Sequence, residues 1–434
     1  MESLVVDGGY RLSGEIRIQG AKNGALPVMA AAVLGGRSAI HNCPRLTDTG
    51  NAAEILRMLG CGVGREGDTV AVDASSLPGC DIPPELMRRM RSSVIFLGAL
   101  LARCGRAVVS APGGCELGPR PIDLHLDAMR LLGAEVTEKH GLVFCECRGR
   151  LKGTEIVLPY PSVGATENVL IAAATARGRT VLVGAAKEPE ITELADFINS
   201  KGGRISGAGN DAVIIDGVEA LGDCEHTCIP DRIAAATYIA AAASTGSELT
   251  LRGAEPKHMS AVIAAFSEAG CCFADTPDGL KATAPERLKA VRFLRTAPYP
   301  GFPTDAQALI AAALATADGV SVINETVFEG RFRYMRELSR MGADVSAEGP
   351  LAVIRGVPFL SGAKTECTDL RGGAALVAAA LGAKGVSEIL CPAHIDRGYE
   401  NVESALSAVG AKIYRNVKNE AAKTGECFRE ASGV

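Results

Sequence analysis

The segment LRMLGCGV at residues 56–63 indicates the architecture, because its pattern occurs five more times along the chain. Each copy consists of the apolar end of a helix, a glycine and the start of a strand. The other copies are MRLLGAEV (129–136), INSKGGRI (198–205), FSEAGCCF (266–273), LSRMGADV (338–345) and LSAVGAKI (406–413). Internal repeats at such a regular spacing indicate one supersecondary unit that is used six times.

A second phrase alternates with the first: an Ala-rich helix, a glycine and another strand. Its copies are AAVLGGRSAI (31–40), LLARCGRAVV (100–109), AATARGRTVL (173–182), AAASTGSELT (241–250), ALATADGVSV (313–322) and ALGAKGVSEI (380–389). Helix and strand patterns that alternate in this way predict an α/β fold in which helices cover mixed sheets.

One position recurs fourteen residues before the glycine of each second phrase, where the Ala-rich helix is expected to begin. It is occupied by Lys22, Arg91, Gly164, Arg232, Asp305 and Arg371. Helix starts carry free N–H groups and the positive end of the helix dipole, so they favour anions. A single polar residue at a helix start is usually structural, but five polar residues and one glycine in the same register predict a shared site for anionic ligands.

The composition points to a two-domain protein without a bulk affinity for polyanions. A chain of 434 residues is too long for one ordinary core, so two domains of three units each are expected, with a change of half near residues 227–231. The net charge of −5 gives no general attraction to nucleic acid or acidic membranes. Any anionic substrate must therefore be bound by local basic residues.

The sequence predicts a cytoplasmic protein with no metal or organic cofactor. Its first residues lack the pattern of a signal peptide, and the apolar stretch 306–317 is too short to cross a bilayer. The fourteen cysteines are irregularly spaced, which is typical of reduced core residues. The group Cys224, His226 and Cys228 is a weak candidate for a metal site, because no further ligands are evident.

The segment 110–123, SAPGGCELGPRPID, interrupts the short connections between elements. Its prolines and glycines favour an exposed loop that can move. Cys115 lies between Gly114 and Glu116, near Arg120, and a predicted helix begins directly after Arg120. Such surroundings lower the pKa of a thiol, so a functional role for Cys115 is favoured over packing.

With these motifs the chain resembles the enolpyruvyl transferases over almost its whole length. The motifs that carry the resemblance are GAKNGALP (20–27), GGCELGPRPIDLHL (113–126), PSVGATENVL (161–170), PTDAQ (303–307), VFEGRFRYMREL (327–338), TDLRGGAAL (368–376) and HIDRGYENVE (394–403). The resemblance implies a two-domain, inside-out α/β barrel-like fold, with three units per domain around a deep cleft. It also implies that the N-terminal strands join the C-terminal half. The expected domains are 22–229 and 1–21 with 230–415, followed by a mobile tail at 416–434.

The activity implied by the resemblance is transfer of the enolpyruvyl group of phosphoenolpyruvate to the 3′-hydroxyl of UDP-N-acetylglucosamine, with release of phosphate. This is the first committed step of peptidoglycan synthesis, and it proceeds by addition and elimination. The implied catalytic residues are Cys115, as acid or covalent nucleophile, Asp305, as base, and Lys22. Asp305 at a helix start could instead be an N-cap, and that alternative stays open.

The resemblance also implies which residues bind the two substrates. For phosphoenolpyruvate they are Lys22, Arg91, Arg120, Arg331, Arg371 and Arg397. For the UDP-sugar they are Asn23, Asp123, Ser162, Val163, Gly164, Asp305, Val327 and Phe328. Four further acidic residues, Glu188, Glu190, Asp231 and Glu329, are expected to support the geometry of the cleft.

Two alternative functions remain at this point. A shikimate-type enolpyruvyl transferase would share the fold and the donor, but the AlaLysAsn opening and the GlyGlyCys loop are not expected in it. A regulatory protein that binds the UDP-sugar without turnover belongs to another class, and retention of Cys115, Asp305 and Lys22 speaks against it. The sequence does not predict the oligomeric state.

Overall fold

The structure, a computed structural model, describes residues 2–110 and 122–417. Its strands are β1 Glu2–Asp7, β2 Ser13–Arg17, β3 Arg37–His41, β4 Gly62–Glu66, β5 Thr69–Asp73, β6 Arg106–Ser110, β7 Glu135–Lys139, β8 Leu142–Glu146, β9 Glu155–Val157, β10 Arg179–Val183, β11 Ile205–Ser206, β12 Ala212–Asp216, β13 Cys224–Thr227, β14 Glu248–Arg252, β15 Cys272–Thr276, β16 Gly279–Thr283, β17 Leu294–Arg295, β18 Val320–Asn324, β19 Asp344–Glu348, β20 Leu351–Arg355, β21 Lys364–Glu366, β22 Val386–Leu390 and β23 Lys412–Val417.

The helices of the described residues alternate with these strands. They are α1 Lys22–Ala31, α2 Thr47–Met58, α3 Pro84–Arg89, α4 Phe96–Cys104, α5 Asp123–Leu131, α6 Val163–Ala173, α7 Pro189–Ser200, α8 Arg232–Thr245, α9 Ser260–Glu268, α10 Thr304–Leu314, α11 Tyr334–Arg340, α12 Leu370–Gly382 and α13 Val402–Ala408. Short 3-10 helices occur at Ala32–Leu34, Arg91–Ile95, Pro256–Met259 and Pro392–Arg397.

The strands form six small sheets over the described ranges, one for each repeated unit. Their strand orders are β13-β3-β5-β4, β6-β8-β7, β11-β12-β10-β9, β15-β16-β14-β2, β17-β18-β20-β19 and β21-β22-β1-β23. The predicted α/β fold of six units is confirmed. All twelve repeat glycines have φ between 59° and 112°, a region that favours glycine and explains why each phrase turns there.

The predicted register of helix starts is also confirmed. Helix α1 begins at Lys22, α8 at Arg232, and the 3-10 helix that precedes α4 at Arg91. Helices α6, α10 and α12 begin one residue before the predicted position. The same register therefore describes both halves of the chain.

The N-terminal strands pair with the second half, as the resemblance implies. Strand β1 is antiparallel to β22 and β23, and β2 is parallel to β14. Strand β13, at the end of the first half, is parallel to β3 of the first unit. The N-terminal strands thus belong to the second half, and the chain passes between the halves twice, after β2 and after β13. The domain bounds 22–229 and 1–21 with 230–415 are proposed on this basis.

Two hydrophobic clusters form the core. One is built from residues between Ala25 and Cys228, and the other from Leu4–Ile18 together with residues between Ile233 and Ile413. The Ala-rich helices lie inside them: α8, α10 and α12 pack against one another, and α4 contacts α1 and α6. Helices that are apolar on all sides are expected in such a buried position.

The predicted tail needs one correction at its start. Asn416 and Val417 belong to β23, where they pair with Ser3 and Glu2. Backbone pairing with β1 extends the ordered sheet past the point where apolar periodicity ends in the sequence. The rest of the predicted tail, 418–434, lies outside the described residues.

In the part of the chain that the structure describes, no helix combines the length and apolar character needed to cross a membrane.

Candidate active site

Asp305 lies in the first turn of α10 and binds two arginines. Arg331 donates to its Oδ1 at 2.8 Å, and Arg371 donates to its Oδ2 from Nε at 3.2 Å and from a terminal nitrogen at 3.1 Å. Both arginine side chains are buried, at 3% exposure, whereas that of Asp305 keeps 27%. The two buried arginines therefore bind the carboxylate while part of the Asp305 side chain stays accessible to solvent.

The charge state of Asp305 follows from these contacts. Burial would raise the pKa of this carboxyl, but the positive charges of Arg371, Arg331 and Lys22 outweigh it and hold the pKa well below its usual range. The N-cap alternative is wrong, because Pro303 occupies the cap and the Asp305 side chain binds arginines instead of helix N–H groups.

Lys22, at the first position of α1, and Arg397, at the end of the 3-10 helix Pro392–Arg397, meet on one carboxylate. Lys22 Nζ lies 3.2 Å from Asp48 Oδ2, and Arg397 Nε lies 3.1 Å from Asp48 Oδ1. Burial lowers the pKa of Lys22, and the nearby charge of Asp48 opposes this shift. The charges of Arg371, Asp305 and Arg397 also act on Lys22. The two groups around Asp48 and Asp305 therefore form one electrostatic site.

Asp231 links the start of α8 to the start of α1. Its Oδ1 caps α8 by accepting hydrogen bonds from the backbone N–H groups of Ile233 and Ala234 at 2.8 and 2.9 Å. Its Oδ2 accepts the backbone N–H of Lys22 at 3.1 Å. Because α1 and α8 lie in different halves, this carboxylate fixes the approach of the halves beside the site.

The start of α6 is accessible to solvent but leaves little space around Gly164. Ser162 caps the helix by accepting the Ala165 N–H, and Ser162, Val163 and Gly164 are all partly exposed. A Cβ added at Gly164 would lie 3.0 Å from Cε1 of His125, so the ring leaves little room for a side chain there. Asp123, which begins α5, is exposed, and Asn23 beside Lys22 is partly exposed.

The segment 327–331 completes the other side. Val327 and Phe328 are partly exposed, and the guanidinium of Arg331 lies 5.8 Å from the centre of the Phe328 ring. The backbone N–H groups of Val327 and Phe328 donate to Oε1 of Glu325 at 2.8 and 3.1 Å. This segment therefore leads directly to the arginine that binds Asp305.

The register position of Arg232 is used differently from the others. Its guanidinium binds both oxygens of Glu190, at 3.0 and 3.3 Å, and its side chain is 9% exposed. Glu188 accepts the backbone N–H of Tyr299 from the second half at 3.3 Å. Arg232, Glu188 and Glu190 thus support the junction of the halves, and Glu329 is exposed in the segment 327–331.

Several predicted residues cannot be placed. Cys115, Arg120 and the side chain of Arg91 lie outside the described residues. The weak metal candidate is not supported among the residues described, where no group of ligands suits a metal ion and His226 contacts Glu193 at 3.3 Å.

Sequence reasoning missed two site residues. Asp48 was overlooked because nothing in its local sequence shows that it lies between Lys22 and Arg397. Tyr399, whose hydroxyl accepts from Arg371 at 3.0 Å, lies within the quoted motif at 394–403 but was not singled out. The regular spacing of the repeats predicts where helices begin, but it does not predict that Asp48 and Tyr399 bind residues at those positions.

Comparisons with known proteins agree with this geometry. A family model described as EPSP synthase (3-phosphoshikimate 1-carboxyvinyltransferase) matches residues 6–406. The chain belongs to the enolpyruvyl transferase family. Two relatives in this family are close in sequence. UDP-N-acetylglucosamine 1-carboxyvinyltransferase 2 of Caldanaerobacter subterraneus subsp. tengcongensis is 50% identical over 417 residues, 96% of this chain and 100% of that protein. UDP-N-acetylglucosamine 1-carboxyvinyltransferase 1 of Symbiobacterium thermophilum is 49% identical over 420 residues, 95% of each chain.

Solved structures of enolpyruvyl transferases share the fold. The enolpyruvyl transferase NikO from Streptomyces tendae has a TM-score of 0.86 at 26% identity, covering 96% of this chain and 99% of that one. An EPSP synthase from Acinetobacter baumannii has a TM-score of 0.75 at 18% identity, covering 96% and 100%. The second likeness shows the fold alone.

Proposed function

We propose that this chain transfers the enolpyruvyl group of phosphoenolpyruvate to the 3′-hydroxyl of UDP-N-acetylglucosamine and releases phosphate. The observation that carries the proposal is the group of cations around Asp305 and Asp48, drawn from both halves: Lys22, Arg331, Arg371 and Arg397. The names of relatives up to 50% identical support this acceptor over 3-phosphoshikimate.

The reaction is an addition followed by an elimination. In the addition, the methylene carbon of phosphoenolpyruvate gains a proton and its neighbouring carbon bonds to the 3′-oxygen, which loses its proton. In the elimination, the new methyl group loses a proton, the double bond returns and phosphate leaves. An acid and a base on opposite sides of the reacting carbon serve both steps.

Asp305 is the proposed base for the 3′-hydroxyl. At rest it is a weak base, because Arg331 and Arg371 stabilise its ionised form. The carboxylate and phosphate of phosphoenolpyruvate compete for the same guanidinium groups, which suit planar anions. As those hydrogen bonds move to the substrate, the proton affinity of Asp305 rises. Substrate binding thereby activates the base.

Asp48 holds the two cations, Lys22 and Arg397, that are proposed to bind phosphoenolpyruvate. In the ligand-free arrangement this carboxylate holds the two cations together, with 2% of its side chain exposed. We infer that it favours the charged form of Lys22 and holds both side chains in place until phosphate arrives. Arg91 and Arg120 are proposed as further donor ligands on the resemblance alone.

The UDP-sugar is proposed to lie between α6 and the segment 327–331. The N–H groups of Val163 and Gly164 at the start of α6 suit its diphosphate, since helix starts bind phosphate. Ser162 precedes them, and its own N–H donates to the Tyr160 carbonyl at 2.7 Å. Asn23 faces the sugar, Asp123 the uracil end, and Val327 and Phe328 the opposite side. These contacts are proposed from the resemblance and from the exposure of each residue.

Cys115 is proposed as the acid that protonates the methylene carbon, or as a nucleophile that forms an adduct with the donor. An acid must be a thiol and a nucleophile a thiolate, so the pH dependence of adduct formation separates the two roles. Fosfomycin, an epoxide that resembles phosphoenolpyruvate, should add to Cys115 and react faster with the UDP-sugar present. Intact-mass analysis that places the adduct on another residue would contradict this assignment.

Phosphate release tests the proposed function. The purified protein should release phosphate only when phosphoenolpyruvate and UDP-N-acetylglucosamine are both present, and a Cys115→Ser variant should be much slower. Release with 3-phosphoshikimate in place of the UDP-sugar would identify the shikimate-type activity. Binding of the UDP-sugar without any release would identify the regulatory alternative.

The proposed partners are these two small molecules, with neither nucleic acid nor a membrane among them. A cytoplasmic location is part of the same proposal.

A further inference from the structure

Glu325 lies where two parallel strands end side by side. Strands β17 and β18 pair in register, with Arg295 opposite Asn324. The next residue of each strand, Thr296 and Glu325, therefore meet at the same edge of the sheet. The Thr296 hydroxyl donates to Glu325 Oε1 at 2.9 Å, and only 3% of Glu325 is exposed.

The carboxylate of Glu325 collects four hydrogen bonds from three separate segments. Besides Thr296, its Oε1 accepts the backbone N–H groups of Val327 and Phe328 at 2.8 and 3.1 Å. Its Oε2 accepts the Thr304 hydroxyl at 2.9 Å. Within the described residues it forms no ion pair, so neutral donors alone offset the cost of burying it.

These bonds join two parts of the site. Thr304 begins α10 and is followed by Asp305, the proposed base. Val327 and Phe328 begin the segment proposed to contact the UDP-sugar. A single carboxylate therefore bonds both the first residue of the helix that carries Asp305 and the first residues of the segment 327–331.

We propose that Glu325 is a positioning residue that sets the geometry between the UDP-sugar site and Asp305. The inference rests on the proposed function, since it assigns Val327 and Phe328 to the UDP-sugar. It also predicts a difference between the substrates: binding of the UDP-sugar depends on Glu325 more strongly than binding of phosphoenolpyruvate, because the proposed donor ligands Lys22 and Arg397 are held by Asp48 and not by Glu325.

Three variants of Glu325 differ in side-chain length and in the ability to accept hydrogen bonds, so each should retain a different set of the four bonds. In Glu325→Gln the amide oxygen can still accept the two backbone N–H groups, and the amide nitrogen can donate to a rotated Thr304 hydroxyl. In Glu325→Asp the chain is one methylene too short to reach Thr304 and the segment together. In Glu325→Ala all four bonds are lost.

The measurements are KM for each substrate, kcat, and the Kd for UDP-N-acetylglucosamine by calorimetry. For Glu325→Ala and Glu325→Asp, we expect KM and Kd for the UDP-sugar to rise and kcat to fall, with a combined loss in kcat/KM of about a hundredfold, as for a misplaced reacting group. KM for phosphoenolpyruvate should rise by a clearly smaller factor, because among its proposed ligands Arg331 belongs to the segment 327–331 whereas Lys22 and Arg397 are held by Asp48. Glu325→Gln should remain within about threefold of the wild type, since it keeps the acceptor and the reach.

A matched control separates positioning from general stability. Glu337 on α11 is also a buried carboxylate, at 5% exposure, and accepts the backbone N–H of Glu366 at 3.0 Å. We expect Glu337→Ala to lower Tm without favouring one substrate over the other.

Each outcome decides the inference. It is overturned if folded Glu325→Ala binds the UDP-sugar as the wild type does, if both KM values change by the same factor as in the control, or if Glu325→Gln is as impaired as Glu325→Ala. A wild type that binds the UDP-sugar but releases no phosphate would contradict the proposed function alone, and the Kd comparison would still decide the role of Glu325.

Discussion

Arg371 contacts Asp305 through two nitrogens that share one carboxylate oxygen, at 3.2 and 3.1 Å. Arg371 comes from the start of α12 and Asp305 from the start of α10, so two units of the repeat meet at the proposed base. The same guanidinium reaches the Tyr399 hydroxyl at 3.0 Å, which fixes its orientation. We therefore expect Asp305 to gain proton affinity only when another anion takes over its hydrogen bonds from Arg371 and Arg331.

Replacing the proposed base should remove turnover and spare binding. We expect Asp305→Asn to lower kcat by about 10²- to 10⁴-fold, the usual contribution of general base catalysis. The Kd for UDP-N-acetylglucosamine should change little in calorimetry. Asp344→Asn, which removes an exposed partner of Arg355, should leave both unchanged. Unaltered kcat in Asp305→Asn would exclude this residue as the base.

Asp48 should control the alkaline limit of donor binding. Burial lowers the pKa of Lys22 and the Asp48 carboxylate opposes that shift, so Asp48→Asn should lower the pKa of Lys22 further. The ammonium then loses its proton at a lower pH. We expect the alkaline fall of kcat/KM for phosphoenolpyruvate to move to lower pH.

The matched control is Asp68→Asn, which removes an exposed carboxylate 3.4 Å from Arg17. Its pH profile should coincide with that of the wild type. If the alkaline limb of Asp48→Asn also coincides with the wild type, the carboxylate does not maintain the charge of Lys22.

Gly164 should be essential for the shape of the diphosphate site. A Cβ at this position would press on His125 at 3.0 Å, and His125 is held by Asn168 at 2.8 Å. We expect Gly164→Ala to raise KM for the UDP-sugar about tenfold, because a shift near 1 Å at a binding group is costly. Gly50→Ala, where a Cβ has open space within α2, should leave KM unchanged. Equal behaviour of the two variants would count against the site.

Glu167 should make stability depend on pH. It is 4% exposed, and burial, followed by the charges of Glu190 and Glu188, raises its pKa well above the usual value. The folded protein thus holds this proton more tightly than the unfolded chain, so the contribution of Glu167 to stability is lost as pH rises above about 4.3, the unfolded pKa.

The variant Glu167→Gln has no carboxyl group to ionise, so it should avoid the loss of stability that Glu167 causes as pH rises. We expect its Tm advantage over the wild type to grow between pH 5 and pH 8, whereas Glu135→Gln on the surface should show no such trend. A Tm difference that is constant with pH would mean that Glu167 does not take up a proton on folding.

Much of the fold could be predicted because the six repeated units are recognisable in the sequence. Glycine phrases located the turns, and counting back from them located six helix starts to within one residue. The pairing of β1 with the second half and of β13 with the first unit could not be read from the repeat, since both strands pair with partners far away in sequence. Only the resemblance supplied the N-terminal crossing.

The site was predictable where a residue belongs to a motif and less so where it acts through a partner. Lys22, Asp305, Arg331 and Arg371 are brought together, as the resemblance implies. Arg232 shares their register yet is bound by Glu190, and Asp48 has no local signature although it joins two cations. Such pairings are decided by tertiary packing, which a helix-start register does not encode.

The central claim is that helix starts from both halves enclose one site for anionic reactants. Hydrogen exchange on addition of UDP-N-acetylglucosamine tests it most directly. We predict that amides at the start of α6 in the first half and in the segment 327–331 of the second half become protected together, with the same dependence on ligand concentration. Protection confined to one half at saturating ligand would contradict the claim.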